Sequence, residues 1–598
     1  MKRMAGRLLV MTLMLAPFAA RSDSNNKDNF PFLEATVAQL QTEMAAGRLT
    51  SEQLTRAYIK RIQQLDQPGS QTGLGVNAII ELNPDAIAIA RQMDDMRHKG
   101  QVLGPLHGIP ILLKANIDTH DKMQTTAGSL GLQGTPALQD STIAANLRAG
   151  GAVILGKTNL SEWANFRSFE SISGWSGVGG QTHNPYGIDR NPCGSSSGSG
   201  AAASANFATV SLGTETDGSV VCPANASGVV GIKPTVGLTS RAGVVPISHT
   251  QDSVGVHGRT VADAAATLGV IQSRTFDGRD AATGGVPLGW QGRFTRPTNI
   301  PTDYTQFLNP NALRGVRLGL LRTTVGFNLP SPLPAGALPT PAPVVAAFDQ
   351  VLTELKAAGA TIVDLEAAGF TGFGPGFAAG ESLVLDFDFR TDVATYFATR
   401  VGVPLAGGTL ATAIAFNNAN ADAEMPFFNQ DIFEQAESLL PGANDAQPVF
   451  SGMTYNQALA ADKTFAIQGI DGALAKFHLD AVIAPTDAPA WSTDLLYGDH
   501  FVYGSSSLGA PAGYPYVQVP AADVYGIPMG ITFFGTAFSE PTLIALASGF
   551  EAVTQQRAKN LPKFTPTIPD DHVAGEPLSI PRNNNGGKAP EGWHPHHM

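Results

Sequence analysis

Four groups of residues in this chain have types and spacings that could do chemistry. The first is the run Cys193-Gly-Ser-Ser-Ser-Gly-Ser-Gly200, a loop with almost no side-chain bulk. A flexible Gly/Ser linker has the same composition, but apolar segments follow at once and place the run inside the fold. Gly194 to Gly198 also satisfies G-x-S-x-G, the pattern of a serine nucleophile on a sharp strand-to-helix turn. That reading needs an acid and then a histidine downstream; His249, His257, His478 and His500 are present, none in a recognisable context. The second group is Leu212-Gly-Thr-Glu-Thr-Asp-Gly-Ser-Val-Val-Cys-Pro223. The strand-like Ala208 to Leu212 leads into it, so Ser219 falls in a tight turn beyond a strand end, where successive backbone N–H groups can converge on an oxyanion. An ordinary turn would use the same residues. The third is Lys114, which ends the apolar run Ile109-Pro-Ile-Leu-Leu-Lys114. A lysine there is either desolvated, with a neutral amine available as a base, or it snorkels to water; from the residues alone, snorkelling is the simpler outcome. The fourth is the trio His594, His596 and His597, whose setting beside Pro595 in a polar tail is that of a solvated terminus. No set with zinc-ligand spacing occurs elsewhere, so neither a metal nor a cofactor is expected.

Helices and apolar strands alternate around these groups. Residues 36–65 read as two helices, with capping-box pairs Thr36/Gln39 and Thr50/Gln53 and an apolar stripe at Leu54, Ile59, Ile62 and Leu65. Asn77 to Leu82 reads as a strand and Pro84 to Lys99 as a helix stopped by Gly100. Ala144 to Ala149 is helical, Gly151 to Leu155 is a buried strand, and Gly156-Lys-Thr-Asn159 is a turn. The alternation runs to about residue 270 and implies an α/β fold. It breaks over 271–345, a loop or surface insertion marked by Pro330, Pro332, Pro334, Pro339, Pro341 and Pro343, with one strand at Val316 to Leu320. It resumes with a helix at Val344 to Ala358 and a strand at Thr361 to Leu365, and ends with a strand at Met529 to Phe534 and a helix at Thr542 to Val553. Residues 561–598 read as an extended polar tail.

Composition excludes some functions. With 43% hydrophobic and 15% charged residues, the chain can bury a large core. Lys2, Arg3 and Arg7 precede the short apolar run Leu8 to Ala16, so residues 1–20 read as an export signal. No later stretch is apolar enough to span a bilayer. Cleavage after residue 20 removes those cations and no acid, taking the net charge from −12 to −15. An acidic chain without a basic stripe is a poor ligand for nucleic acid. Cys193 and Cys222 could pair in an exported protein, but both flank the serine motifs, and buried free thiols are the expectation.

Taken together, the pieces resemble the amidase signature family. The resemblance rests on Gly104-Pro-Leu-His-Gly-Ile-Pro-Ile-Leu-Leu-Lys114, Gly151-Ala-Val-Ile-Leu-Gly-Lys-Thr-Asn-Leu-Ser-Glu162, Gly194-Ser-Ser-Ser-Gly198, Gly213-Thr-Glu-Thr-Asp-Gly-Ser219, Gly228-Val-Val-Gly-Ile-Lys-Pro-Thr235 and Gly526-Ile-Pro-Met-Gly530. Their order and spacing match over roughly residues 31–560, the insertion left out. Leu160-Ser-Glu-Trp-Ala-Asn-Phe-Arg167, Asn191-Pro-Cys-Gly194 and the stretch from Gly535 to Thr542 are most similar to the bacterial peptide amidases of that family.

The resemblance implies one large α/β domain, a mixed sheet flanked by helices on both faces, and hydrolysis by a Ser–cis-Ser–Lys triad. Ser219 matches the nucleophile, Ser195 the bridging serine after a cis peptide bond, and Lys114 the base. Backbone N–H groups of Thr216, Asp217, Gly218 and Ser219 match the oxyanion hole. The implied substrate is a small-molecule or short-peptide amide, with a C-terminal peptide amide favoured. An acylamidase or carbamate hydrolase for aryl and alkyl amides is the nearest alternative, an amidotransferase subunit a further one, and a non-catalytic binding protein on the same fold lies outside the class. The chain departs from the family at Ala115, where Asp is common, and at Asp217, where Gly is commoner outside the peptide amidases. Lys157 and Lys233 lie in family blocks but match no base, so loop anchoring is expected of them; Ser196 and Ser197 are expected to shape their loop.

Overall fold

The computed structural model describes residues 29–67, 73–284, 296–334, 336–373, 380–439 and 452–567. The signal-like segment at 1–20 and the histidines at 594–597 lie outside them. Both capping boxes form. Thr36 and Thr50 each accept the N–H three residues on, and Gln39 and Gln53 return the bond, starting α1 (Val37–Ala45) and α2 (Ser51–Leu65). The following helices are α3 (Ala86–His98), α4 (Thr142–Ala149), α5 (Ser197–Ser204), α6 (Val221–Ala226), α7 (Val261–Ile271), α8 (Ala342–Ala357) and α9 (Glu381–Phe397).

The strands are β1 (Ile79–Leu82), β2 (Pro110–Lys114), β3 (Val153–Thr158), β4 (Trp175–Ser176), β5 (Gly180–Gln181), β6 (Val210–Glu215), β7 (Val230–Lys233), β8 (Ser253–Gly258), β9 (Arg317–Leu320), β10 (Thr361–Asp364), β11 (Ala481–Pro485), β12 (Tyr516–Val524) and β13 (Ile527–Phe534). Apart from the short β4–β5 pair they form one sheet of eleven strands, in the order β1-β3-β2-β6-β8-β7-β12-β13-β11-β9-β10. The sheet is mixed: β2 runs parallel to β3 and β6, and β9 to β10 and β11, while the other pairs are antiparallel. Every residue of β2, β3, β6, β7, β8, β11 and β13 is buried. Since successive strand residues point to opposite faces, both faces of the central sheet are covered, as the continuous apolar runs require. The α/β expectation with a mixed sheet is met.

The structure changes several local readings. Lys157, read as part of a turn, lies in β3, with Leu113 of β2 on one side and Glu81 of β1 on the other; ladder pairing carries the strand past Gly156. Within 271–345, Tyr304, Leu313 and Phe327 are buried and β9 joins the sheet, while the six prolines from Pro330 to Pro343 are exposed. Between β10 and β11 the described residues form helices and no strand, including α9, Leu410–Ala419, Asp431–Ser438 and Tyr455–Ala466. The first three of these make a second core, where Phe389, Phe397, Leu410 and Phe433 cluster with Trp163, while Ala458 and Leu459 of the last join the main core. The start of the tail is docked, with Phe564 N–H on the Pro185 carbonyl at 2.9 Å and Thr567 on the Asp189 carboxylate.

Candidate active site

Lys114 ends β2, so the strand carries its side chain into the interior, where it is fully buried. The parallel neighbour β6 supplies Thr214, whose Oγ1 and carbonyl oxygen accept from Nζ at 2.9 and 3.5 Å. Asn116 Nδ2 donates to the same Thr214 Oγ1 at 3.0 Å. Ser195 Oγ lies 2.8 Å from Lys114 Nζ. Burial drives the Lys114 pKa down to about 7, against the opposing pull of Asp252 and Glu215. The sequence alone favoured snorkelling; the sheet leaves this amine no route to water.

Ser195 follows Gly194 across a cis peptide bond. A β-carbon on Gly194 would lie 2.3 Å from Ser161 Oγ and 2.8 Å from Ser173 Oγ, so only glycine fits there. The neighbouring serines shape the loop: Ser196 Oγ bridges the Thr214 carbonyl and N–H at 2.9 and 3.1 Å, and Ser197 Oγ donates to the Cys193 carbonyl at 2.6 Å.

The turn after β6 carries Ser219. Gly218 turns it at φ 78°, a left-handed conformation that favours glycine. Glu215 Oε2 accepts the N–H groups of Val220 and Val221 at 2.7 and 3.0 Å, fixing the start of α6 against the strand end. Ser196 N–H donates to the Ser219 carbonyl at 3.2 Å, so the two serine loops adjoin. Ser219 keeps 7% exposure, and its hydroxyl makes no hydrogen bond among the described residues. Nor do the backbone N–H groups of Thr216, Asp217, Gly218 and Ser219 find an acceptor among them. A turn of free donors beside a free hydroxyl suits a substrate carbonyl.

The two loops are also joined covalently. Cys193 and Cys222, expected as thiols, form a disulfide with Cα atoms 5.8 Å apart across 29 residues of chain. Each cysteine flanks its serine motif, and the fold lays the motifs side by side, which sequence distance conceals.

The other lysines stand apart. Lys157 Nζ donates to the Ile117 carbonyl at 2.6 Å and Thr125 Oγ1 at 3.1 Å, and Lys233 Nζ to the Tyr514 carbonyl at 2.8 Å. Burial lowers each to about 8, yet neither contacts a candidate serine. Among the histidines, His257 is held to the Val220 carbonyl at 3.0 Å, with burial lowering it to about 3; His249 pairs with Asp392, and His500 with Asp494. Among the described residues no histidine bonds a serine hydroxyl near the turn, which leaves the elbow reading without its base there.

Comparison with known proteins supplies the family. The Amidase family model matches residues 53–544.

The chain belongs to the amidase signature family.

A probable amidase of Arabidopsis thaliana is 36% identical over 566 residues, covering 93% of this chain and 97% of the relative. The native peptide amidase from Stenotrophomonas maltophilia superposes with a TM-score of 0.75 at 42% identity, covering 90% of this chain and 99% of that one. The peptide amidase PAM in complex with the competitive inhibitor chymostatin gives 0.77 at 43%, covering 89% and 100%. This amidase is therefore a hydrolase of C–N bonds. Thr214, Asn116, Asp252 and Gln251 escaped the sequence reading, although Thr214 lies inside a quoted motif; contacts across strands leave no local signal.

Proposed function

We propose that this amidase hydrolyses linear carboxylic amides through Ser219, Ser195 and Lys114, and that its substrates are C-terminally amidated short peptides. The observation that carries the catalytic reading is a buried amine near neutrality bonded at 2.8 Å to a serine hydroxyl, in a loop that adjoins the turn of unpaired N–H groups around Ser219. Neutral Lys114 accepts a proton from Ser195, which takes one from Ser219 as its Oγ attacks the carbonyl carbon. The carbonyl oxygen gains charge inside the N–H groups of Thr216, Asp217, Gly218 and Ser219. The proton returns to the leaving nitrogen, the C–N bond breaks, and an acyl-enzyme remains. Water then repeats the path and frees the acid and Ser219.

The peptide-amide reading is supported by 42–43% identity to peptide amidases over about nine-tenths of the chain. The basic and then apolar start of the chain supports export, and the Cys193–Cys222 disulfide is consistent with an oxidising compartment. The test supplies purified protein with peptide amides, unmodified peptides, anilides and carbamates, and measures ammonia or amine release. Ammonia from peptide amides with internal bonds spared is expected. Turnover of anilides or carbamates with peptide amides untouched would transfer the assignment to an acylamidase.

A further inference from the structure

The loop before β8 grips the catalytic turn from the side chain of Thr216. Thr216 Oγ1 donates to Asp252 Oδ1 at 2.5 Å, while Asp252 Oδ2 accepts the N–H groups of Ile247 and Ser248 at 2.9 and 3.0 Å. Gln251 Nε2 donates to the Thr216 carbonyl at 3.1 Å and also to Glu381 of α9. The loop is itself held to α9: Ser248 Oγ and Thr250 Oγ1 donate to Asp388 Oδ2 at 2.6 and 2.7 Å. The peptide group is planar and trans, so its C=O and N–H point in opposite directions. Fixing the Thr216 carbonyl on Gln251 therefore aims the Asp217 N–H the other way, and fixing the Thr216 hydroxyl holds the preceding end of the turn. Asp252 itself is buried, so its two carboxylate oxygens are committed to this loop and to Thr216.

We propose that Asp252 is a positioning residue that clamps Thr216 to hold the oxyanion turn in its open-donor geometry. The proposal rests on the catalytic reading above.

The test compares Thr216→Val, Thr216→Ser and Asp252→Asn in the full chain, with circular dichroism and melting as folding controls. Thr216→Val should lower kcat on an amide substrate on the order of 10-fold or more with KM nearly unchanged, and Thr216→Ser should restore it to within about 3-fold, since it keeps the hydroxyl. Asp252→Asn, which takes the charge from the acceptor of the Thr216 hydroxyl, should also lower kcat with KM nearly unchanged. Folded Thr216→Val with wild-type kcat, Thr216→Ser no better than Thr216→Val, or folded Asp252→Asn with wild-type kcat would each overturn the proposal. Should Asp252→Asn fail to fold, the two Thr216 variants decide alone. Wild-type protein that neither turns over amides nor takes a fluorophosphonate at Ser219 would instead bring down the catalytic reading itself.

Discussion

A lysine at the end of an apolar strand is either a surface residue or a base, and the difference is a matter of solvation. Here burial lowers Lys114 to about 7, so its neutral form grows as pH rises through that value. Because the neutral amine is the reactive form, kcat/KM should climb with pH through one apparent pKa near 7, well below that of free lysine, and a pH–rate series checks this. Rates that fall steadily from acid to neutral pH would contradict it. Ser219→Ala should abolish fluorophosphonate labelling, and Lys114→Ala should slow turnover by orders of magnitude. Lys157→Ala should act on stability, because its amine ties β3 to the Ile117 carbonyl and Thr125. A folded Lys157→Ala protein without activity, beside an active Lys114→Ala, would reverse the assignment of the base.

The catalytic loops depend on the elements that hold them. The Gly194 loop and the Gly218 turn come from different parts of the chain, and they are joined by Ser196 N–H on the Ser219 carbonyl and by the Cys193–Cys222 bond. Closing a loop of 29 residues removes unfolded-state entropy, and the Cys193→Ser/Cys222→Ser protein should lose roughly 3 kcal/mol in denaturant titrations. Its kcat should fall as well, since the two serine loops lose a covalent tie; a double variant with wild-type melting and rate would show the bond to be incidental. At a distance from the site, Thr50→Ala removes the α2 cap and should cost about 1 kcal/mol with no change in kcat.

At the scale of the whole molecule, the two ends of the described chain meet. Arg557 donates to Glu34 at 2.8 Å, and Phe564 and Thr567 dock on the segment 185–189. Arg557 is buried and Glu34 half-buried, so Glu34→Ala leaves a guanidinium without its carboxylate, and melting should show a loss of about 1–2 kcal/mol. Among the described residues, no group of three or more His, Cys, Asp or Glu side chains is placed to hold a metal ion. Exhaustive chelation should leave the proposed reaction rate unchanged; activity lost to the chelator and restored by zinc would overturn the metal-free mechanism.

The amino-acid sequence by itself determined the α/β alternation, both capping boxes, the strand that delivers Lys114 and the turn that carries Ser219, because each is written in contiguous residues through periodicity, caps and turn formers. The tertiary structure decided what those residues become. Lys114 is stripped of water only because β3 and β6 flank its strand, and Cys193 meets Cys222 only because the serine loops are laid together. Asp252 reaches Thr216 from 36 positions away, and α9 braces that loop from more than a hundred further on. Desolvation and side-chain contact are properties of neighbours in space, so the environment of each candidate group had to wait for the fold.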